Sequence, residues 1–392
     1  MRVTPTMISH NTLRNINQSY QKLGMLSDQM ATQKKITRAS QDPVVAMKGM
    51  LYRSQVAEVT QFKRNLSEVY HWMDTADSAL DEATETLKRI RDLATQASND
   101  SYDASERANI AKEIKQLRLH LESIANTKSG TKYIFNGTDT MSPPVINSDN
   151  MNLPISSLFE GETNLEGFQL IHGGRTFEVV GEDEESGQLI FQDVKQIGNP
   201  AYGEEGFEEN AFQLKVTEGG EITFSQPNRE TGEATTSNVR TNDLVIASKD
   251  AVSANSQPVE IELLNGVKVQ VNINPNDVFS NQLFGDIIRL EQALEDGSVT
   301  GEELTGYIDE FFAHIDHFVS QRAELGARTN RVEMIENRIL DQEISAKKMM
   351  SDNEDVDMEE VIMNLVIQEN IHNAALAAGA RIMQPSLLDF LR

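Results

Sequence analysis

Glu310, His314 and His317 stand at i, i+4 and i+7. On a helix this sets a carboxylate and two imidazoles along one side, at a spacing that can hold a metal ion. The same residues flank Phe311, Ile315 and Phe318, an apolar series whose neighbours should be solvated polar groups. That plainer reading carries more weight, and no H-E-x-x-H is present to strengthen the metal. The run "GEDEESG" at 181–187 lacks the alternation of a calcium loop and reads as an exposed acidic turn. Asn136-Gly137-Thr138 matches a glycosylation sequon, a match that chance often supplies. There is no cysteine, no G-x-x-x-x-G-K-[ST] and no G-x-G-x-x-G. No catalytic, cofactor or metal residue is expected, and an enzyme is the weak reading.

Composition narrows the classes further. The 392 residues carry a formal charge of −26, which nucleic acid would repel in the absence of a basic patch. No stretch is apolar enough to span a membrane. The opening "MRVTPTMISHNTLRNINQSY" lacks the apolar core and cleavage site of a secretory signal peptide. Aromatics are only 6%, which suits thin helical packing better than a thick globular core. The acidity is concentrated: residues 141–300 hold 27 Asp/Glu against 8 Lys/Arg.

The elements that would position any site are helical at both ends. Leu13, Ile16, Tyr20, Leu23 and Met30 recur at heptad spacing in a first helix, with Ser27 as the polar member. "RASQDPVV" ends it, Asp42 being placed as an N-cap and Pro43 as the first residue of a second helix. That helix carries twelve consecutive apolar positions at alternating spacings of three and four: Val59, Phe62, Leu66, Val69, Met73, Ala76, Leu80, Ala83, Leu87, Ile90, Ala94 and Ala97. This is a coiled-coil seam about 58 Å long at 1.5 Å per residue. Asp103 and Glu106 form a capping-box pattern before a third helix. The middle of the chain alternates instead, and "EGG" and "NG" join short runs as β-hairpins. Helices resume near Gly301, and a last one carries Ile367, Ile371, Ala374, Ala378 and Ile382. The expected fold is mainly α with a β-rich insert. It is an elongated rod of long antiparallel helices from the N- and C-terminal regions, with the middle of the sequence at its tip. Three domains follow: 1–42 with 352–392, 43–140 with 300–351, and an acidic insert at 141–299.

One residue is out of place in this pattern. Gly326 interrupts a helical stretch at about 1 kcal/mol against alanine, with no stop signal nearby. A close approach to its backbone is the expected reason.

Several motifs resemble the bacterial flagellin family. "LKRIRDLATQ" at 87–96 is similar to its L-x-R-[IV]-R-[DE]-L-A-x-Q, carried here by Leu87, Arg89, Ile90, Arg91 and Leu93. "RAELGARTNR" is similar to its R-x-x-L-G-A-x-x-N-R, with Arg322, Leu325, Gly326, Ala327, Asn330 and Arg331. Ser351, Asp355 and Asp357 resemble its S-x-x-x-D-x-D break, and "ITRASQDPVVA" its break after the first helix. "MRVT", "KYIFNGTDT" and the ending "LLDFLR" look more like the hook–filament junction members than the filament members.

The resemblance implies an extracellular flagellar structural protein, exported without a cleaved signal peptide through the type III apparatus with an export chaperone. It implies self-assembly into a ring between the other hook-associated junction protein and flagellin, where the ring templates filament growth. A filament flagellin is the alternative; a flagellin-like protein with a metal-binding or enzymatic role is a weaker one. The terminal stretches, 1–42 and 352–392, are expected to be loosely ordered until assembly buries their stripes.

Overall fold

The computed structural model describes residues 5–383 apart from 100–101, 147, 160–164, 184–186, 199–200, 202, 205, 207–209, 228–233 and 297–299. Two compact units emerge: Met1–Arg64 with Ile335–Arg392, and Asn65–Met334. The helices are α1 (Pro5–Thr32), α2 (Pro43–Ala97), α3 (Ala104–Ala125), α4 (Asn281–Asp296), α5 (Gly301–Glu354) and α6 (Met358–Met383). The units divide inside α2 and α5, whereas the sequence reading divides the chain after 42, 140, 299 and 351. The reason is local: the start of α2 packs with the end of α5.

In the first unit, α1 and α6 run antiparallel, as three contacts show. A Cβ on Gly379 would lie 3.2 Å from Ile16, Gln368 Nε2 donates to Ser19 Oγ at 2.8 Å, and Lys34 bridges Asp355. Asp42 Oδ1 accepts from the amides of Val44 and Val45 and so caps α2. The break before α6 is built from its own motif. Ser351 Oγ donates to Asp355 Oδ2 at 2.6 Å, and Asp357 Oδ1 accepts from the amides of Glu359 and Glu360. Glu354 holds the end of α5 to the start of α2 through Arg53, 2.7 Å away.

In the second unit, α3 folds back on α2 after a capping box at Asp103 and Glu106. All twelve seam positions of α2 are buried, Val59 and Phe62 in the first unit and the other ten in the second. Each large aliphatic among them contributes about 1.5–3 kcal/mol on leaving water. The middle of the chain forms a seven-stranded antiparallel sheet in the order β8-β7-β6-β5-β4-β3-β9, with β3 at Phe168–His172, β4 at Arg175–Asp183, β5 at Gln188–Asp193, β6 at Gln213–Val216, β7 at Ile222–Pro227, β8 at Ala234–Val239 and β9 at Val245–Ser248. Two small hairpins, β1–β2 (Lys128–Ser129, Lys132–Tyr133) and β10–β11 (Glu260–Leu264, Val267–Gln270), stand apart from it. The "EGG" and "NG" turns join β6 to β7 and β10 to β11, with Gly220 and Gly266 both at positive φ.

One face of the sheet buries Leu170, Phe177, Leu189, Phe191, Leu214, Val216 and Ile222 under the chain around Leu153–Phe159. The edge strand β9 is closed by the Leu153 amide, which donates to Ile246 O at 2.9 Å. The other face presents Ile171 to Gly285 of α4, where an added Cβ would stand 2.6 Å from Ile171. Helix α4 lies within the segment 141–299, read from sequence as a β-rich insert, and adds a helix to its strands. It carries the sheet on one side and α3 on the other through a buried pair, Arg118 Nε to Glu291 Oε1 at 2.9 Å. Nearby, Phe279 packs edge-on against Phe135 and Phe318, which locks the "KYIFNG" segment to α5. No helix among the described residues is long and apolar enough to cross a membrane.

Candidate assembly surface

The first unit turns its greasier side outward. Helix α1 meets α6 through Ile16, Ser19, Leu23 and Leu26; α6 meets it through Val361, Leu365, Gln368, His372, Ala375 and Gly379. This inner seam is narrow and partly polar. Leu13, Tyr20 and Met30, expected within a single stripe with Ile16 and Leu23, are exposed, Tyr20 at 67%. Ile367, Ile371, Ala374 and Ala378 also face solvent, Ile371 at 50%. The side chain of Ile382 and the ending "LLDFLR" lie outside the described residues. Ile362, Met363, Val366 and Leu376 extend the outer face of α6, and Met7, Ile8 and Met25 that of α1. The start of α2 adds Val44, Met47, Met50 and Leu51; the last turns of α5 add Ile344 and Met349. The offset between expected and observed seams has a cause. Gly379 and Ser19 admit a close approach on the side where they lie, so the helices meet there and leave Leu13, Met30, Ile367 and Ile371 outside.

In the second unit, the two family-like motifs divide between core and surface. Leu87, Ile90, Leu93 and Leu325 are buried. Arg89 pairs with Glu113 at 2.6 Å, and Arg91 pairs with Asp92 while its guanidinium lies 5.0 Å from the centre of the Phe312 ring. Arg322 grips Asp77 with two hydrogen bonds, 2.7 and 3.0 Å, and reaches Asp81. Gly326, Ala327, Asn330 and Arg331 lie on the exposed side of α5. Among the described residues nothing outside its own helix lies within 4 Å of a Cβ built on Gly326, so none of them makes the close approach expected there. Phe312, Val319 and Gly326 recur every seven residues along this exposed side, and Met334 continues it.

The members of the metal-like trio line one cleft, each engaged by a different partner. Glu310 accepts from Arg289 Nη1, His314 Nε2 meets Asp286 Oδ2 at 2.8 Å, and His317 meets the backbone oxygen of Asp277. Among the described residues no three His, Cys, Asp or Glu are arranged to hold a metal ion. Asn136 of the sequon is 1% exposed and donates to Ser142 O, which closes it to modification in the folded chain. The acidic turn at 181–187 lies partly outside the described residues.

Sequence reasoning missed a buried polar group around Arg289. Its Nη1 donates to Asp286 Oδ1 at 2.9 Å and to Glu310, and its guanidinium sits 5.1 Å from the Tyr307 ring centre. Tyr307 Oη donates to Asp243 Oδ1 at 3.2 Å, and Asp243 O meets His172 Nδ1 at 2.9 Å. Burial, with the nearby charge of Asp286, pushes the Glu310 carboxyl up to about 7. Burial holds His172 below its usual range. The signal available was Asp286 and Arg289 at i, i+3 inside the apolar run "LFGDIIRL".

Comparison with known proteins agrees with this layout. The bacterial flagellin N-terminal helical region matches residues 3–140 and the C-terminal helical region residues 305–391. A flagellin of Clostridium tyrobutyricum is 29% identical over 127 residues, 32% of this chain and 34% of that one. Flagellar hook-associated protein 3 of Escherichia coli K12 is 27% identical over 145 residues, 37% of this chain and 46% of that one. The matches thus span less than half the length of these relatives. A solved structure from Vibrio parahaemolyticus, provisionally assigned as a flagellar hook-associated protein, superposes with a TM-score of 0.50 at 14% identity. It covers 80% of this chain and 100% of its own, and it shares the fold. Two flagellin-type helical regions enclose the β-rich middle, and their outermost helices pair antiparallel: the chain belongs to the flagellin family.

Proposed function

We propose that this protein is a structural component of the bacterial flagellum, a hook-associated junction protein that self-assembles into a ring and templates flagellin growth. One observation carries the reading: paired α1 and α6 leave Ile8, Leu13, Ile362, Val366, Ile367, Ile371 and most of the Tyr20 ring outside, on faces that further subunits would cover. Burying those faces on assembly offsets the entropy of fixing two long helices. The exposed Phe312–Val319–Gly326 line supports a second contact between subunits, small at its centre so that backbones can approach. On this reading the partners are the other hook-associated junction protein on one side and flagellin on the other. An export chaperone and the type III apparatus deliver the chain, unfolded, to the outside of the cell. Its acidic insert then faces solvent.

A flagellin is among the relatives, so a filament-forming role is the second reading. Electron microscopy of a strain lacking the gene separates the two. Intact hooks with flagellin shed into the medium support the junction; loss of filament subunits from the medium, with purified protein growing long filaments unaided, supports the filament.

A further inference from the structure

We propose that Asp286, Arg289, Glu310 and His314 form a proton-operated latch between α4 and the first turns of α5, closed when a proton is held among its carboxylates and looser when that proton leaves.

The geometry sets up a shortage of positive charge. One nitrogen, Arg289 Nη1, serves both carboxylates: 2.9 Å to Asp286 Oδ1, 3.2 and 3.4 Å to the two oxygens of Glu310. The Asp286 side chain has no exposure, Arg289 has 6% and Glu310 18%. With both carboxylates ionised against the single charge of Arg289, the three side chains carry a net negative charge in a place that solvates it poorly. One proton makes them neutral. Glu310 is the site that takes it, because Asp286 already has two partners, Arg289 and His314 Nε2. A cleft of about 600 Å³, lined by Asp286, Glu310, His314 and His317, gives water access to the group.

Other charges face it from every side. Tyr307, Asp309 and His317 lie on α5; Glu303 lies one turn before Tyr307, paired with Arg240. Asp277 precedes α4. His172, Lys195 and Asp243 come from the sheet and its loops. His172 opposes the latch, since acid must charge a buried imidazole.

The Glu310 carboxyl, at about 7 in the folded chain against 4.5 unfolded, binds its proton more tightly when folded. Its contribution is therefore full below about pH 4.5 and is lost as the pH rises through about 7.

The test is amide exchange at 281–296 and 301–317 in the full chain at pH 5.5 and 8, corrected for intrinsic rates and referenced to β6–β7. Protection in the wild type should fall ~10-fold or more between the two, tenfold corresponding to one pKa unit. Glu310→Gln, which keeps the shape of the protonated acid, should remove that fall. His172→Gln should leave the fall in place. Equal slopes in wild type and Glu310→Gln would overturn the proposal. So would a carboxyl carbon resonance of wild-type Glu310 that titrates near 4.5, a measurement that stands even if a variant fails to fold.

Discussion

Ile16 of α1 rests against Gly379 of α6 so closely that a single added carbon would come within 3.2 Å of its Cδ1, and within 3.4 Å of Thr12. The pairing of the chain's two end helices depends on that contact. Gly379→Val places two further methyls into it, and overpacking of this kind destabilises by about 1–3 kcal/mol. Helical signal from α1 and α6 should fall at a lower denaturant concentration in the variant. An unchanged transition would mean that the helices do not meet there.

Gly326 gives the opposite outcome. Its surroundings are open, so Gly326→Leu should leave the monomer folded and raise its stability by up to about 1 kcal/mol through helix propensity. Assembly should suffer instead, because the leucine stands where a neighbouring subunit approaches. Motility restored to normal by this variant in a strain lacking the gene would rule out a contact at Gly326.

Much of this was legible in the sequence. The α2 seam declared itself because three-and-four spacing over twelve positions has no other physical meaning, and Asp42–Pro43 and Asp103–Glu106 marked helix starts through capping chemistry. Helix α4 was missed although Leu283, Phe284, Ile287, Ile288 and Leu294 alternate with polar residues at helical spacing. Its polar side is buried as well, with Asp286, Arg289 and Glu291 inside the fold and only Glu295 and Asp296 exposed at its end. Gly326 announced a backbone cost without naming a neighbour. The seams of α1 and α6 were displaced because hydrophobic spacing identifies a greasy stripe but not which helix covers it. There the polar and small residues Ser19, Gln368 and Gly379 face the partner within the chain.

That displacement makes Ile371 informative. It is half exposed and lies outside the inner seam. Ile371→Glu should change monomer stability by no more than about 0.5 kcal/mol, as surface substitutions do. It should also strongly reduce incorporation into flagella, because assembly would bury an unpaired carboxylate. Cosedimentation with assembled flagella, beside thermal unfolding of the monomer, reads the two effects separately. Normal incorporation would place Ile371 outside any interface.

Acid should act on the first unit with the sign opposite to the Glu310 effect. Hydrogen bonds from Arg53 hold Glu354 below the usual carboxylate range, and Lys34 does the same for Asp355. A carboxylate lowered in the folded state adds stability above its unfolded value, here 4.5 and 3.8, and that stability is lost as the pH falls through the lowered folded value. Arg53 is largely exposed, so the Glu354 pair contributes at most about 1 kcal/mol. Corrected for intrinsic rates, exchange at 33–53 and 351–356 should stay flat between pH 7 and 5 and quicken below about pH 4.5. Glu354→Gln should bring faster exchange to neutral pH and shrink the acid step to the part that Asp355 contributes. A wild type whose exchange in these segments quickens already between pH 7 and 5 would show that some other group governs the contact.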